Sequence, residues 1–330
     1  MSEDVVTADS IGKLTRKPSF VAVPIKSMRT DAVLNAELYI RIAPDHYVKY
    51  RDKESEFNGR IRSRLYDNRH TYVYVKIKDI RAFSKYLEGN LKNTLDDRSV
   101  NIHEKTALLY ETTTYLMRGL LQDPSSKEDV KQSKRIVDSA AEFILSNPDV
   151  LAHHLELSSV DYYTYTHSVD VMTYSIMLGK RIGLKDGEEI GNLGQGALLH
   201  DIGKTYVDQA INQKNGPLTD EEFTEMKKHP GYGYDALKKT DELSKQALEI
   251  VRHHHEDLKG TGYPDGLDSD RIGIEVRIVT VADIFNALTT RRVYRKAFQN
   301  FQALKMMKET VGEKIDRRVF REFVKMLGDV

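Results

Sequence analysis

The sequence contains no cysteine and no tryptophan among its 330 residues, and only 8 prolines. Without thiols there is no disulfide, no thiolate nucleophile and no sulfur ligand, so any metal must be held by imidazole and carboxylate groups. Neither sign of charge is in excess, since 50 Lys and Arg balance 50 Asp and Glu. That balance removes a global field drawing the chain to nucleic acid or anionic lipid, and no DNA or RNA polymer is expected as a partner. No apolar run approaches the ~18 residues needed to cross a bilayer. The acidic start Met1-Ser2-Glu3-Asp4 lacks the basic and apolar regions of a signal peptide. The expectation is a soluble cytoplasmic protein without membrane insertion.

Residues 1–18 are polar and without pattern, which reads as a flexible tail. Over residues 19–100, Leu38, Ile40 and Ile42 alternate with Glu37, Tyr39 and Arg41, and Val73, Val75 and Ile77 alternate with Tyr72, Tyr74 and Lys76. This is the period of half-buried strands. With Phe20–Val23 and Tyr47–Tyr50 it predicts a small sheet-rich α+β domain ending in a helix near Ile80–Leu91, with a regulatory, interaction or dimerisation role. Arg60, Arg62, Arg64 and Arg69, interleaved with Tyr66 and His70, read as a solvated strand or turn surface. Over residues 101–330 the period is helical. Val130, Val137, Ala141 and Ile144 follow a capping-box pattern at Ser125 and Glu128, and helices are predicted near 164–183, 187–202, 219–237, 242–256, 275–290 and 300–310. A second capping-box pattern, Thr219 to Glu222, opens the third of these. The fold class is therefore mainly α, a C-terminal helical bundle behind a small α+β domain.

Within that bundle, His200-Asp201-Ile202-Gly203-Lys204 joins two hard metal ligands to a lysine. On a helix ending at Asp201, Leu193 and Ala197 share a stripe with His200, which places the imidazole at a buried end. A buried carboxylate is costly unless paired or metal-bound. Lys204 could pair with Asp201, and that ion pair is the plain alternative. It leaves unexplained His167, His229, His254 and His255, and an aspartate, Asp283, embedded after Val279-Thr280-Val281-Ala282. Seven nitrogen and oxygen donors on several helices suit two metal ions with one bridging carboxylate and open positions for water. His253 extends the histidine run, His153-His154 reads as a loop or helix-surface pair, and His46, His70 and His103 have no partners in pattern.

From about residue 150 to 330 the chain resembles the HD-GYP domain, a branch of the HD metal-dependent phosphohydrolases. The resemblance runs through His167-Ser168, His200 to Lys204, Leu218-Thr219 to Glu222, His229-Pro230, His254-His255-Glu256, Gly260 to Leu267, Ala282-Asp283, Ala287-Leu288-Thr289, Arg292 and Tyr294-Arg295. It implies an HD-type helical bundle around a dinuclear centre, iron first with manganese or zinc as alternatives. Asp201 would bridge, with His167, His200 and Asp283 on one metal and His229, His254 and His255 on the other. Asp201 and Lys204 would be catalytic, and Lys204, Tyr263, Arg292 and Arg295 would contact substrate. The implied reaction is hydrolysis of cyclic di-GMP, or a related cyclic or linear dinucleotide, by a metal-activated water. Implied partners are that nucleotide, a diguanylate cyclase or other signalling protein, and a second copy as homodimer. Departures from the family pattern are Lys259 and Asn286, each in place of a frequent aspartate, and Val293 in place of proline. Tyr163 stands where some members place a third-metal glutamate, so two metals are expected. These departures motivate an alternative, a catalytically inactive module acting as nucleotide receptor or partner-binding protein.

Overall fold

The computed structural model describes residues 20–25, 28, 30, 32–158, 164–185, 187–214, 216–290 and 297–329. The chain divides into two compact units at Asn90/Leu91. In the first, strands β1 (Phe20–Pro24), β2 (Ala32–Val33), β3 (Leu38–Ala43), β4 (His46–Arg51), β5 (Glu56–Phe57) and β6 (Tyr72–Lys76) are joined by helix α1 (Gly59–Asp67). An antiparallel sheet runs in the order β1-β6-β3-β4, and β2 pairs with β5. The register sets Val21 opposite Val75 and Val23 opposite Val73. All four valines are buried while Ala22 and Tyr72 are exposed, as a period of two requires.

The arginine-rich segment corrects the sequence reading. Residues 59–67 form a helix, opened by Asn58, whose side chain accepts from the Ile61 amide at 3.1 Å. Ile61 and Leu65, one helical turn apart, are its buried face. The alternating arginines masked that spacing.

Helix α2 (Ile80–Asp96) contains the division between the units. The second unit comprises α3 (Ile102–Leu120), α4 (Lys127–Ser146), α5 (Val150–Leu157), α6 (Thr164–Ile182), α7 (Glu188–Leu199), α8 (Gln209–Asn212), α9 (Asp220–Met226), α10 (His229–Lys238), α11 (Lys245–His253), α12 (Ile274–Thr289), α13 (Asn300–Thr310) and α14 (Arg317–Gly328). Among the described residues no helix is long and apolar enough to cross a membrane. The cap of α4 is Ser126, accepting from the Asp129 amide, one residue later than the predicted box. Thr219 and Glu222 do form a capping box. The single helix predicted over 219–237 is two, because Pro230 has no amide to continue a helix and favours the first turn of a new one.

Helices α6 and α7 are buried over most of their length and form the centre of the bundle. Helix α7 packs on α6, α4 and α11, and α12 packs on α6. Those contacts bring the start of α6, the end of α7, the start of α10, the end of α11 and the middle of α12 to one place. A short 3₁₀ turn, Ile202–Tyr206, follows Asp201 and lies against α10. Gly203 allows that approach: a Cβ there would collide with the His229 carbonyl and lie 2.5 Å from the Gly233 amide nitrogen.

Gly203→Ala is therefore expected to lower stability by about 2 kcal/mol or more, because neither backbone can yield independently. Gly89→Ala, where a Cβ meets open space, should be neutral or slightly stabilising. Urea denaturation of the two variants beside the parent chain measures both.

Candidate metal centre

Asp201 sits two residues beyond the end of α7, after His200, with 1% of its side chain exposed. Its two oxygens face different histidines. Oδ2 lies 3.4 Å from His200 Nε2 and 3.6 Å from His167 Nε2. Oδ1 lies 3.2 Å from His229 Nε2 and 3.8 Å from His254 Nε2. Asp283 completes the first group, with Oδ1 3.1 Å from His167 Nε2 and 4.0 Å from His200 Nε2. His255 joins the second group, its Nδ1 3.9 Å from Asp283 Oδ2. The seven sequence-predicted ligands thus converge as two clusters sharing one carboxylate.

The hydrogen bonds behind the rings show what the clusters fit. His200, His229 and His254 present Nδ1 to the carbonyls of Ala197, Met226 and Val251 at 2.7, 2.7 and 3.0 Å. A carbonyl only accepts, so each Nδ1 carries hydrogen and each neutral ring has a bare Nε2. His167 Nδ1 meets Asn286 Oδ1 at 2.7 Å. The amide orientation is fixed because Asn286 Nδ2 donates to the Asp170 carboxylate at 3.0 Å. His167 Nε2 then faces His200 Nε2 at 3.2 Å, and His229 Nε2 faces His254 Nε2 at 3.3 Å. Opposed lone pairs beside a buried carboxylate repel unless a cation lies among them. The donor set is imidazole and carboxylate, which suits iron, manganese or zinc.

The electrostatics agree. Burial raises the Asp201 carboxyl, but the Lys204 ammonium beside it outweighs that and holds its pKa well below the ordinary carboxylate range. His254 is pushed down, first by burial and then by neighbouring imidazoles, which keeps it a neutral donor. Lys204 does pair with Asp201 Oδ2, the contact that the plain alternative required, while Asp201 Oδ1 is buried with no hydrogen-bond donor among the described residues.

A cleft of about 620 Å³ opens beside the cluster, lined among others by Lys204, Lys214, Phe223, His255, Tyr263 and Asp283. Tyr263 lies 4.8 Å from the His255 ring, centroid to centroid. Burial above all raises its hydroxyl pKa, so it remains a hydrogen-bond donor at neutral pH. The loop carrying Tyr263 is anchored by Glu256, a buried carboxylate that accepts from the amides of Asp265, Gly266 and Leu267 at 2.7, 3.0 and 3.0 Å. Gly262 packs so closely that a Cβ would lie 2.6 Å from the His255 carbonyl oxygen. Lys259 pairs with Glu313 at 2.8 Å. Arg292, Val293, Arg295 and Tyr163 lie outside the described residues.

Several positions depart from the sequence reading or were invisible to it. His153 is half-buried, whereas His154, read with it as a surface pair, is buried with Nε2 3.0 Å from Asp170 Oδ1. Asp170 was not singled out, although an aspartate one turn after His167 is a spacing that could have flagged it. Nothing in the sequence distinguished Glu256 as an anchor. His253 lies outside both clusters, 2.9 Å from both Glu249 and Asp265.

Residues 149–319 match the family model described as HD domain. The chain is 36% identical over 200 residues to cyclic di-GMP phosphodiesterase PA4108 of Pseudomonas aeruginosa, covering 61% of this chain and 48% of that protein. It is 38% identical over 166 residues to 3′3′-cGAMP-specific phosphodiesterase 3 of Vibrio cholerae, covering 50% of this chain and 36% of that one. The chain thus spans about half or less of the length of these curated relatives. In fold it is similar to Bd1817, an HDG"Y"P protein of Bdellovibrio bacteriovorus, with a TM-score of 0.71 and 22% identity over 94% of this chain and 99% of that one.

Removing the Asn286 amide should free His167 to turn and lower metal affinity by about 10–100-fold. Metal-to-protein ratios across a chelator series, Asn286→Ala against the parent, read this directly. A pH effect follows at Asp265. Its hydrogen bond to Arg252, opposed by partial burial and helped by His253, holds its pKa at about 2 against an ordinary 3.8. A depressed carboxylate contributes stability that is present above the unfolded value and lost as pH falls through the folded one. The stability difference between the parent and Asp265→Asn should therefore shrink between pH ~5 and ~2.

Proposed function

From the premise that the chain belongs to the HD domain family, in its HD-GYP branch, we propose a metal-dependent phosphodiesterase hydrolysing cyclic di-GMP or a related dinucleotide. The observation carrying this reading is the Asp201 carboxylate, with one oxygen toward each imidazole cluster beside a cleft roomy enough for a nucleotide. His167, His200, Asp283 and Asp201 would hold one divalent cation, and His229, His254, His255 and Asp201 the other. Iron is the first candidate, with manganese and zinc as alternatives. Such cations supply a nucleophilic water of lowered pKa and polarise the phosphoryl oxygens.

The chain's own residues do the rest. Lys204, at the cleft wall beside Asp201, stabilises charge on the phosphate or protonates the leaving 3′ oxygen. The Tyr263 hydroxyl, kept protonated, donates to a phosphate oxygen. Lys214 adds positive charge to the same cleft. Phe223 and Tyr263, in edge contact at 6.4 Å between centroids, offer flat surfaces for a purine. Arg292 and Arg295 are assigned to phosphate by the family pattern alone. Two of the departures that favour a receptor reading do not reach the cleft: Lys259 is engaged by Glu313, and Asn286 is buried behind His167. The N-terminal unit is proposed to regulate the enzyme or mediate dimerisation.

Metal-loaded protein incubated with cyclic di-GMP, 3′3′-cGAMP and the linear dinucleotide, with products separated by chromatography, tests the proposal. Turnover is expected, lowered by about 10²–10³ in kcat by Lys204→Ala with metal content retained. Asp201→Asn should lose both metal and turnover. Intact nucleotide after incubation with metal-replete parent protein would reject the enzymatic reading.

A further inference from the structure

We propose that His103, His153 and Glu156 form a mononuclear zinc site, separate from the seven-ligand centre, that ties the start of α3 to α5. These residues lie in the second unit, and the proposal is independent of the phosphodiesterase reading. His103 is in the first turn of α3, a turn closed by Asn101, whose side chain accepts from the Glu104 amide at 2.9 Å. His153 and Glu156 lie three residues apart on one face of α5. The two rings meet edge to face at 5.5 Å between centroids. Both turn Nδ1 to a single oxygen, Glu156 Oε2, at 3.8 Å from His103 and 3.7 Å from His153.

Those separations are too long for hydrogen bonds. They are close to what a shared cation needs: ligands about 2.1 Å from a tetrahedral ion stand about 3.4 Å from one another. One ligand atom from each residue lies within 4.8 Å of the others. Among the described residues, His153 Nδ1 is moreover shielded from solvent and has no hydrogen-bond partner, so a potential ligand atom is enclosed beside the Glu156 carboxylate. The helices beneath are already fixed. The neighbouring His154 ring is buried against Tyr110 of α3 at 5.6 Å, so binding requires small side-chain rotations and little ordering of backbone.

Two imidazoles with one carboxylate exclude magnesium and calcium, which take oxygen ligands. The set suits zinc, which has no d-electron preference for geometry and accepts three protein ligands with water in the fourth position. An ion there would hold α5 against α3. Through the buried His154, 3.0 Å from Asp170 on α6, it would also brace the helix that carries His167.

The full chain, its principal centre first loaded with manganese, is titrated with zinc, and bound zinc and manganese are measured after dialysis. The parent should take up about one zinc equivalent beyond any that displaces manganese, with a raised thermal midpoint. His103→Ala and Glu156→Gln should lose both effects while keeping nucleotide turnover and the metal-free melting temperature. Glu156→Gln preserves side-chain size, so it keeps the test valid if the histidine variant folds poorly. Equal zinc uptake by the parent and both variants, or no extra uptake by the parent, would overturn the assignment.

Discussion

A carboxylate buried among four imidazole rings is the constraint around which the helical unit is organised. Moving Asp201 out of water costs several kcal/mol, and Lys204 pairs with its Oδ2. The other oxygen faces two ring nitrogens that have no hydrogen to give, because their hydrogens are spent on backbone carbonyls. The charge is therefore compensated on one side and open on the other, an arrangement that a cation completes. The approach of the turn after Asp201 to α10, allowed by Gly203, follows from the need to bring Lys204 and His229 to the same carboxylate.

The way the rings are locked explains why the histidine ligands sit at helix ends. The last carbonyls of a helix have no intrahelical partner. His200, His229 and His254 each bond the carbonyl three residues before them, in the last turn or at the end of α7, α9 and α11. One hydrogen bond thus satisfies an orphaned acceptor and fixes the ring so that Nε2 points inward. His167 lies at the start of α6, where no such carbonyl is free. Its lock comes from another helix, through Asn286 of α12 and then Asp170 one turn along α6. With an aspartate at position 286, a second carboxylate would stand 3.0 Å or so from Asp170, a costly pairing unless a proton is shared. An amide joins donor and acceptor without that cost, so the substitution is compatible with the metal cluster.

The contrast between ends and middles of helices also decides what could be read in advance. The ligands were legible because metal chemistry restricts the residue types, and because His-Asp, His-Pro and His-His-Glu punctuate helices at recognisable breaks. The sheet was legible through its period of two. Helix α1 was hidden because its two buried positions, Ile61 and Leu65, sit among arginines that also alternate. His154, Asp170 and Glu256 were hidden for a deeper reason. Their roles depend on which helix or loop packs beside them, and residues 170 and 286, or 256 and 265, meet only after the chain has folded. Local pattern carries no record of those pairings.

On the proposed phosphodiesterase reading, the cluster would fix where phosphorus reacts but would not distinguish one nucleobase from another, since attack at a phosphodiester is the same for any base attached. Discrimination must come from the cleft walls. Its apolar side, Phe223 with Leu218 and Leu288, offers faces to any purine, whereas Asn212, Lys214 and Asp220 offer polar edges. A site that hydrogen-bonds an exocyclic group rejects an analogue lacking it far more strongly than an apolar wall does. Lys214 is already engaged by Glu222, and Glu222 is in turn held by the Thr219 capping box. Any base contact made by Lys214 competes with that ion pair. On the proposed reading, base preference would be set at the start of α9, a separate structural element from the helices that bring their side chains to Asp201.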